Sequence, residues 1–257
     1  MNPVLIAAVT TGLLGVFGAI VAAPITSDKL IVTDLFRWRR PFKRSTVILI
    51  NDGSGAGKTT LAWALARKFN IASVFGTDLL REAVRFCKDQ SDSAKDSQIF
   101  RSSFETGSLF RDQCEDICGP LLKIIKRIRR KRDPEIIEWV NIMASQVFKE
   151  IPLDAGNGVY FINLHIEDPE IHEQRLRDRG NTSYEDSHET ERYIKNIEAV
   201  RTIDQFLMID AAQFAGKGAL VRCYENSKEL SRVVDQIEKD IKIFRRTNKL
   251  RKREAGI

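Results

Sequence analysis

Thr46-Val-Ile-Leu-Ile-Asn-Asp-Gly-Ser-Gly-Ala-Gly-Lys-Thr-Thr60 is the stretch on which the fold turns. Its β-branched run, Val47 to Ile50, reads as a strand buried on both faces, the kind found inside a parallel sheet. A glycine-rich turn follows, and then a helix with Leu61, Ala62, Leu65 and Ala66 on one face. Strand, glycine turn and helix in that order make a phosphate cradle. Backbone N–H groups wrap an anion, and the helix N-terminus adds partial positive charge. The cradle spans Gly53, Ser54, Gly55, Ala56, Gly57, Lys58, Thr59 and Thr60. Lys58 is placed to reach the outer phosphates of a nucleotide, and the Thr59 hydroxyl to ligate Mg²⁺. One position departs from the usual G-x-x-x-x-G-K-[ST] spacing: Asp52 stands where the first glycine belongs. An acid there is expected to point away from the phosphate or to bond the loop backbone.

Working outward, Ile71 to Gly76 reads as a second strand, followed by Thr77-Asp78-Leu-Leu-Arg81-Glu-Ala-Val-Arg85. An aspartate at a strand's carboxyl end faces the crevice where open α/β sheets bind ligands. Asp78 is therefore a candidate to take the proton of an acceptor hydroxyl, its other reading being a helix N-cap. Arg81 and Arg85, four apart on a helix, are candidates to clamp an anionic group.

The block from Ile48 through Arg85 resembles the 2-phosphoglycerate kinase family, which pairs a G-x-G-K-[ST] loop with a strand ending in T-D-x-x-R-E. Further pieces follow in the family's order: Ser102-Ser103-Phe104, Asn163 to Arg175 with its His172-x-x-Arg175, and Tyr193 to Leu207. The similarity runs from about Thr46 to Glu238. It implies a P-loop kinase using ATP and Mg²⁺ on a small anionic metabolite, with Ser102 and Ser103 on the substrate side. The family's E-G-V-H strand has its counterpart in Glu135-Ile-Ile-Glu138-Trp139-Val-Asn141, where Trp and Asn replace Gly and His. Glu138 ends an apolar run and can still hold Mg²⁺ through water, whereas the bulk of Trp139 is expected to reshape the acceptor pocket.

Between Cys114 and Arg132 a helix is expected, apolar on one side (Ile117, Leu121, Ile124, Ile125, Ile128) and basic on the other, a solvated face in the plainest reading and a nucleic-acid or lipid surface in the other. Val159 to Ile166 reads as an interior strand, and a helix from Pro169 sets His172, Arg175 and Arg179 on one face. The polar Gly180 to His188 reads as a mobile lid, over which Arg175 and Arg179 would close on the transferring phosphoryl group. His165 and His172 lack acidic or metal-binding company and are expected to be structural. Ala219 to Tyr224 gives a last strand, and Asn226 is expected to cap a helix ending near Ile243.

A chain of 257 residues has room for one α/β domain with appendages. Strands alternating with helices require a three-layer α/β/α kinase domain with a parallel sheet. The net charge of +6 favours anionic partners. The four cysteines include no C-x-x-C pair, which argues against zinc and fits a reducing compartment. Val4 to Ile25 carries no charge and is long enough to span a bilayer of about 30 Å. Cations and aromatics from Lys29 to Arg44 follow it, placing the rest of the chain on the cytoplasmic side. A removable signal or a buried helix are the other readings of that run. The expected organisation is a transmembrane anchor (1–27), a basic-aromatic linker (28–45), the kinase domain (46–243) and a basic tail (244–257) that could rest on anionic lipid. No specific nucleic-acid partner is expected. Kinases with a nucleoside or nucleotide-sugar acceptor, and a membrane-tethered nucleotide-binding protein without catalysis, are the alternatives. A guanine-reading N-K-x-D segment is absent.

Overall fold

The computed structural model describes residues 46–76, 107–131, 133–140, 142–153, 158–182, 187–217, 220–227 and 229–254, with Leu80, Ala83, Val84 and Phe86. The sheet is formed by β1 (Val47–Asn51), β2 (Val74–Gly76), β3 (Glu135–Trp139), β4 (Val159–His165) and β5 (Leu220–Glu225). The helices are α1 (Lys58–Phe69), α2 (Ser108–Lys131), α3 (Ala144–Glu150), α4 (Pro169–Thr182), α5 (Ser187–Lys195), α6 (Ile197–Ala212) and α7 (Leu230–Glu254).

All strand pairings are parallel, in the order β2-β3-β1-β4-β5. Every residue of β1 and β4 is buried, as the uninterrupted apolar runs require of strands covered on both faces. Side chains alternate between two cores. Ile48 and Ile50 pack with Leu61 and Leu65 of α1 and with Val233 and Ile237 of α7. Val47 and Leu49 pack with Ile117, Leu121 and Ile125 of α2 and with Val147 and Phe148 of α3. The three-layer α/β/α prediction holds. Because β1 lies between β3 and β4, the strand order reverses there, and the crevice opens beyond its carboxyl end.

Several boundaries differ from those read in the sequence. The second strand is shorter than Ile71 to Gly76, because Asn70 closes α1 in the left-handed conformation (φ 52°) and the Ile71 N–H bonds back to Ala66 O at 2.9 Å. The expected lid is largely helical: α4 continues through Thr182 and α5 starts at Ser187, leaving 183–186 outside the described residues. Tyr193 to Leu207 is divided between two helices at Asn196. Asn226 does not cap the last helix, which begins at Leu230 and runs to Glu254, through most of the expected tail. The extension is held by packing. Ile241 and Asn248 are buried, and Phe244 meets the Tyr160 ring edge-on at a centroid distance of 6.0 Å.

Among the described residues no helix is long and apolar enough to cross a membrane. The expected anchor Val4–Ile25 and linker lie outside the described residues, as do Asp78, Arg81, Arg85, Ser102 and Ser103.

Candidate active site

The glycine-rich loop leaves β1 at Asp52 and enters α1 at Lys58. Gly55 and Gly57 have φ of +91° and +95°, the left-handed region where a side chain is costly. Both are also crowded. A Cβ on Gly55 would lie 2.7 Å from Leu176 Cδ2, and one on Gly57 3.0 Å from Asn226 Nδ2.

Three distant side chains hold the loop from the protein side. Asp204 Oδ1 of α6 accepts from Gly53 N at 3.2 Å. His172 Nε2 of α4 meets Ser54 O at 2.7 Å, so this nitrogen carries the proton and donates. Asn226 Nδ2, just past β5, donates to Ala56 O at 2.7 Å. With the Ser54 and Ala56 carbonyls engaged by the scaffold, the loop is shaped before any ligand arrives, so less ordering entropy opposes binding. Burial lowers the His172 pKa, opposed by its bond to Ser54, and the neutral imidazole suits a donor to a carbonyl. Burial raises the Asp204 pKa, while the Gly53 amide pulls the other way.

Asp52 is completely buried and bonds the loop backbone, one of the two arrangements expected for it. Its Oδ2 accepts from Lys58 N at 3.0 Å, and its Oδ1 stands 3.3 Å from Lys58 Nζ.

Thr59 and Glu138, the two candidate metal ligands, lie side by side. The Thr59 hydroxyl donates to Glu138 Oε2 at 2.7 Å, joining the first turn of α1 to the end of β3. One hydroxyl and one carboxylate are hard oxygen donors suited to Mg²⁺, which keeps several waters and takes its remaining oxygens from phosphates. Among the described residues no cluster of three or more His, Cys, Asp or Glu forms a closed metal cage. The Thr59 hydroxyl and Glu138 carboxylate are a donor set that fits a phosphate-bound Mg²⁺.

Arg175 reaches the loop, its Nη1 lying 3.9 Å from where a Gly57 Cβ would be. Burial lowers its pKa, with Glu225 opposing. Arg179 lies further along α4. Trp139 departs from expectation: it is 3% exposed and belongs to the apolar core with Ile137 and Phe161, on the other face of the sheet from Glu138. Its bulk fills core.

Asp204 and Asn226 were not anticipated as loop supports. A signal did exist for Asp204, which shares with Asp210 a buried face made by Val200, Ile203, Leu207 and Ala211. Asn226 carries no such mark.

Against protein-family models the chain has no match. Among curated proteins it is 30% identical over 190 residues to "2-phosphoglycerate kinase" of Methanococcus maripaludis (strain C7 / ATCC BAA-1331), covering 66% of this chain and 58% of that one. It is 29% identical over 214 residues to "2-phosphoglycerate kinase" of Methanocaldococcus jannaschii, covering 77% of this chain and 64% of the relative. A third relative, "Mevalonate-3-phosphate 5-kinase" of Thermoplasma acidophilum, is 28% identical over 181 residues, with 68% of this chain and 87% of the relative covered. The chain thus spans less than two thirds of the two 2-phosphoglycerate kinases. Among solved structures it is similar to a gluconokinase from Sinorhizobium meliloti 1021, at TM-score 0.44 and 15% identity over 80% of this chain and 94% of that one. A sugar kinase from Janibacter sp. HTCC2649 is similar at TM-score 0.46 and 13% identity, over 77% of this chain and 95% of that one. With its glycine loop, the Thr59–Glu138 pair and these sequence relatives, the chain is similar to the 2-phosphoglycerate kinases and resembles a P-loop kinase of their kind.

Proposed function

We propose that this chain transfers the γ-phosphoryl group of ATP to a hydroxyl of a small phosphorylated acid, 2-phosphoglycerate being the first acceptor to test. The observation that carries the reading is the Thr59–Glu138 hydrogen bond of 2.7 Å at the mouth of a glycine loop already shaped by its scaffold. Loop and helix amides would bind the phosphates, and Lys58 would neutralise their outer oxygens. Thr59 and Glu138 would hold Mg²⁺, which when bound supplies charge neutralisation across the phosphates. Arg175 would offset the charge that spreads over the phosphoryl oxygens as transfer proceeds, with Arg179 beside it on α4.

On the acceptor side, β2 ends at Gly76 in register with Glu138, and Asp78 comes two residues later. We assign Asp78 to orient the acceptor hydroxyl, with Arg81, Arg85, Ser102 and Ser103 binding its anionic groups. The relatives named for 2-phosphoglycerate and for mevalonate 3-phosphate both support an acceptor that is itself a phosphorylated acid. The choice between such acids is open to a panel. The apolar run Val4–Ile25 would tether the domain to a membrane; recovery of the full chain in the soluble fraction would refute that part.

Mg·ATP turnover should be screened against 2-phosphoglycerate, other phosphorylated hydroxy acids, sugars and nucleosides. One phosphorylated acid should stimulate ATP consumption and gain a phosphate, and Lys58→Ala and Asp78→Asn should each abolish the transfer. Preference for a nucleoside or an unphosphorylated sugar would overturn the acceptor reading. Tight ATP binding without acceptor-dependent turnover would leave the binding-only alternative.

A further inference from the structure

The residue at the first position of the glycine loop makes two contacts that a bound phosphate would otherwise make. Asp52 Oδ2 accepts from the Lys58 amide at 3.0 Å, and Oδ1 lies 3.3 Å from the Lys58 ammonium. These donors, the backbone N–H at the start of the helix and the lysine side chain, are ones that a P-loop turns on nucleotide phosphate. We propose that Asp52 is a built-in competitor for the phosphate site, a carboxylate that nucleotide must displace or neutralise before it can use the Lys58 amide and ammonium. The inference rests on the nucleotide-binding reading above and concerns what limits affinity at that site.

Three observations support competition over simple scaffolding. The carboxylate is completely buried, so no water screens it from an incoming phosphate. The groups facing it are Lys58 from α1, which favours its charge, and Asp204 from α6, which opposes it. Asp204 is itself fastened to Gly53 in the same loop, so two acids share the space beneath one anion site. Burial is the largest influence and pushes the Asp52 pKa up to about 7, so near neutral pH the group can lose its charge by taking a proton. Nucleotide binding would then be coupled to proton uptake.

A scaffold and a competitor predict opposite signs. If Asp52 only holds Lys58 in place, removing it weakens nucleotide binding; if it competes, removing it strengthens binding. Titration calorimetry with Mg·ADP on the full 257-residue chain separates them, comparing wild type, Asp52→Asn, Asp52→Gly and Lys58→Ala. Both Asp52 variants should bind more tightly than wild type at pH 8. With a site titrating at about 7, the wild-type Kd relative to Asp52→Asn should grow about tenfold from pH 6 to pH 8. Taking the ratio cancels the titration of the nucleotide itself. Equal affinities at every pH, or weaker binding by both variants, would overturn the proposal while leaving a nucleotide site in place. Absence of binding in every variant at every pH would remove the nucleotide reading and the proposal with it.

Discussion

Replacing Gly55 by alanine tests whether the phosphate loop is clamped from behind by α4. The added Cβ would lie 2.7 Å from Leu176 Cδ2, 3.0 Å from Leu176 Cγ and 3.2 Å from His172 Nε2. Leu176 is 2% exposed, so its side chain cannot swing into solvent to make room. Holding alanine at φ +91° costs about 1–2 kcal/mol, and forcing an extra methyl into a filled site costs typically about 1–3 kcal/mol. Together these give about 2–5 kcal/mol, or roughly 5–15 °C in Tm for a domain of this size. Gly107→Ala is the control. Its φ of +65° is also left-handed, but nothing lies within 4 Å of the added atom, so only the backbone cost of about 1–2 kcal/mol applies. The assay is urea unfolding followed by circular dichroism on both variants and on Gly55→Ala/Leu176→Ala. In the double variant the alanine at 176 vacates the clash, so the two losses should fall short of additive by about 1 kcal/mol or more. Equal losses in the two single glycine variants, with strict additivity in the double, would show that α4 does not clamp the loop.

Other consequences follow from the same geometry. Burial lifts Asp52 from its usual 3.8 to about 7, so the folded chain binds its proton more tightly than the unfolded chain. That stabilisation is complete below pH 4 and is lost as pH rises through 7. Wild type should therefore lose stability relative to Asp52→Asn between pH 4 and pH 8, by up to about 4 kcal/mol in denaturant titrations; parallel curves would refute it. Asp204→Leu leaves the buried Gly53 amide without its acceptor and should cost about 1–3 kcal/mol and weaken Mg·ADP binding. Asp204→Asn, which keeps an acceptor oxygen, should lose less, and equal losses would contradict the assigned contact. Glu138→Gln should lower turnover by about 100-fold or more while leaving metal-free ADP affinity nearly unchanged, since the carboxylate meets the Thr59 hydroxyl and, in the role proposed for it, would hold the metal. Unchanged turnover would exclude Glu138 from that role.

Much of the fold was legible because its signals are local. The β1 run, the glycine spacing and the apolar face of α1 lie within a few residues of one another, and the physics that shapes them is equally short-ranged. The apolar stripe of α2 also declared itself: Ile117, Leu121, Ile125 and Ile128 recur at helical spacing and are buried, while Ile124, read on the same face, is only half-buried. Glu138 could be picked out from its place at the end of an apolar strand, and its partner Thr59 from the loop motif, although they lie 79 positions apart.

Other features required the chain to close on itself. Polar composition marked the region around Gly180 as a loop, yet α4 and α5 occupy most of it. Basic composition marked the end of the chain as a tail, yet Phe244 and Asn248 tie it to the body as helix. The supports of the phosphate loop come from 118, 151 and 170 positions away, and no spacing rule connects His172, Asp204 or Asn226 to the carbonyls and amide they engage. At Asp52 the sequence showed an acid in a glycine's place and allowed it to point away or to bond the loop. Only the folded chain sets that carboxylate against both nitrogens of Lys58, with Asp204 behind it. Sequence determined that there is a phosphate loop on a parallel sheet, because strand, turn and helix preferences act between near neighbours. Tertiary structure decided how that loop is held and what charge it already contains, because those depend on burial and on side chains that meet only when the sheet is assembled.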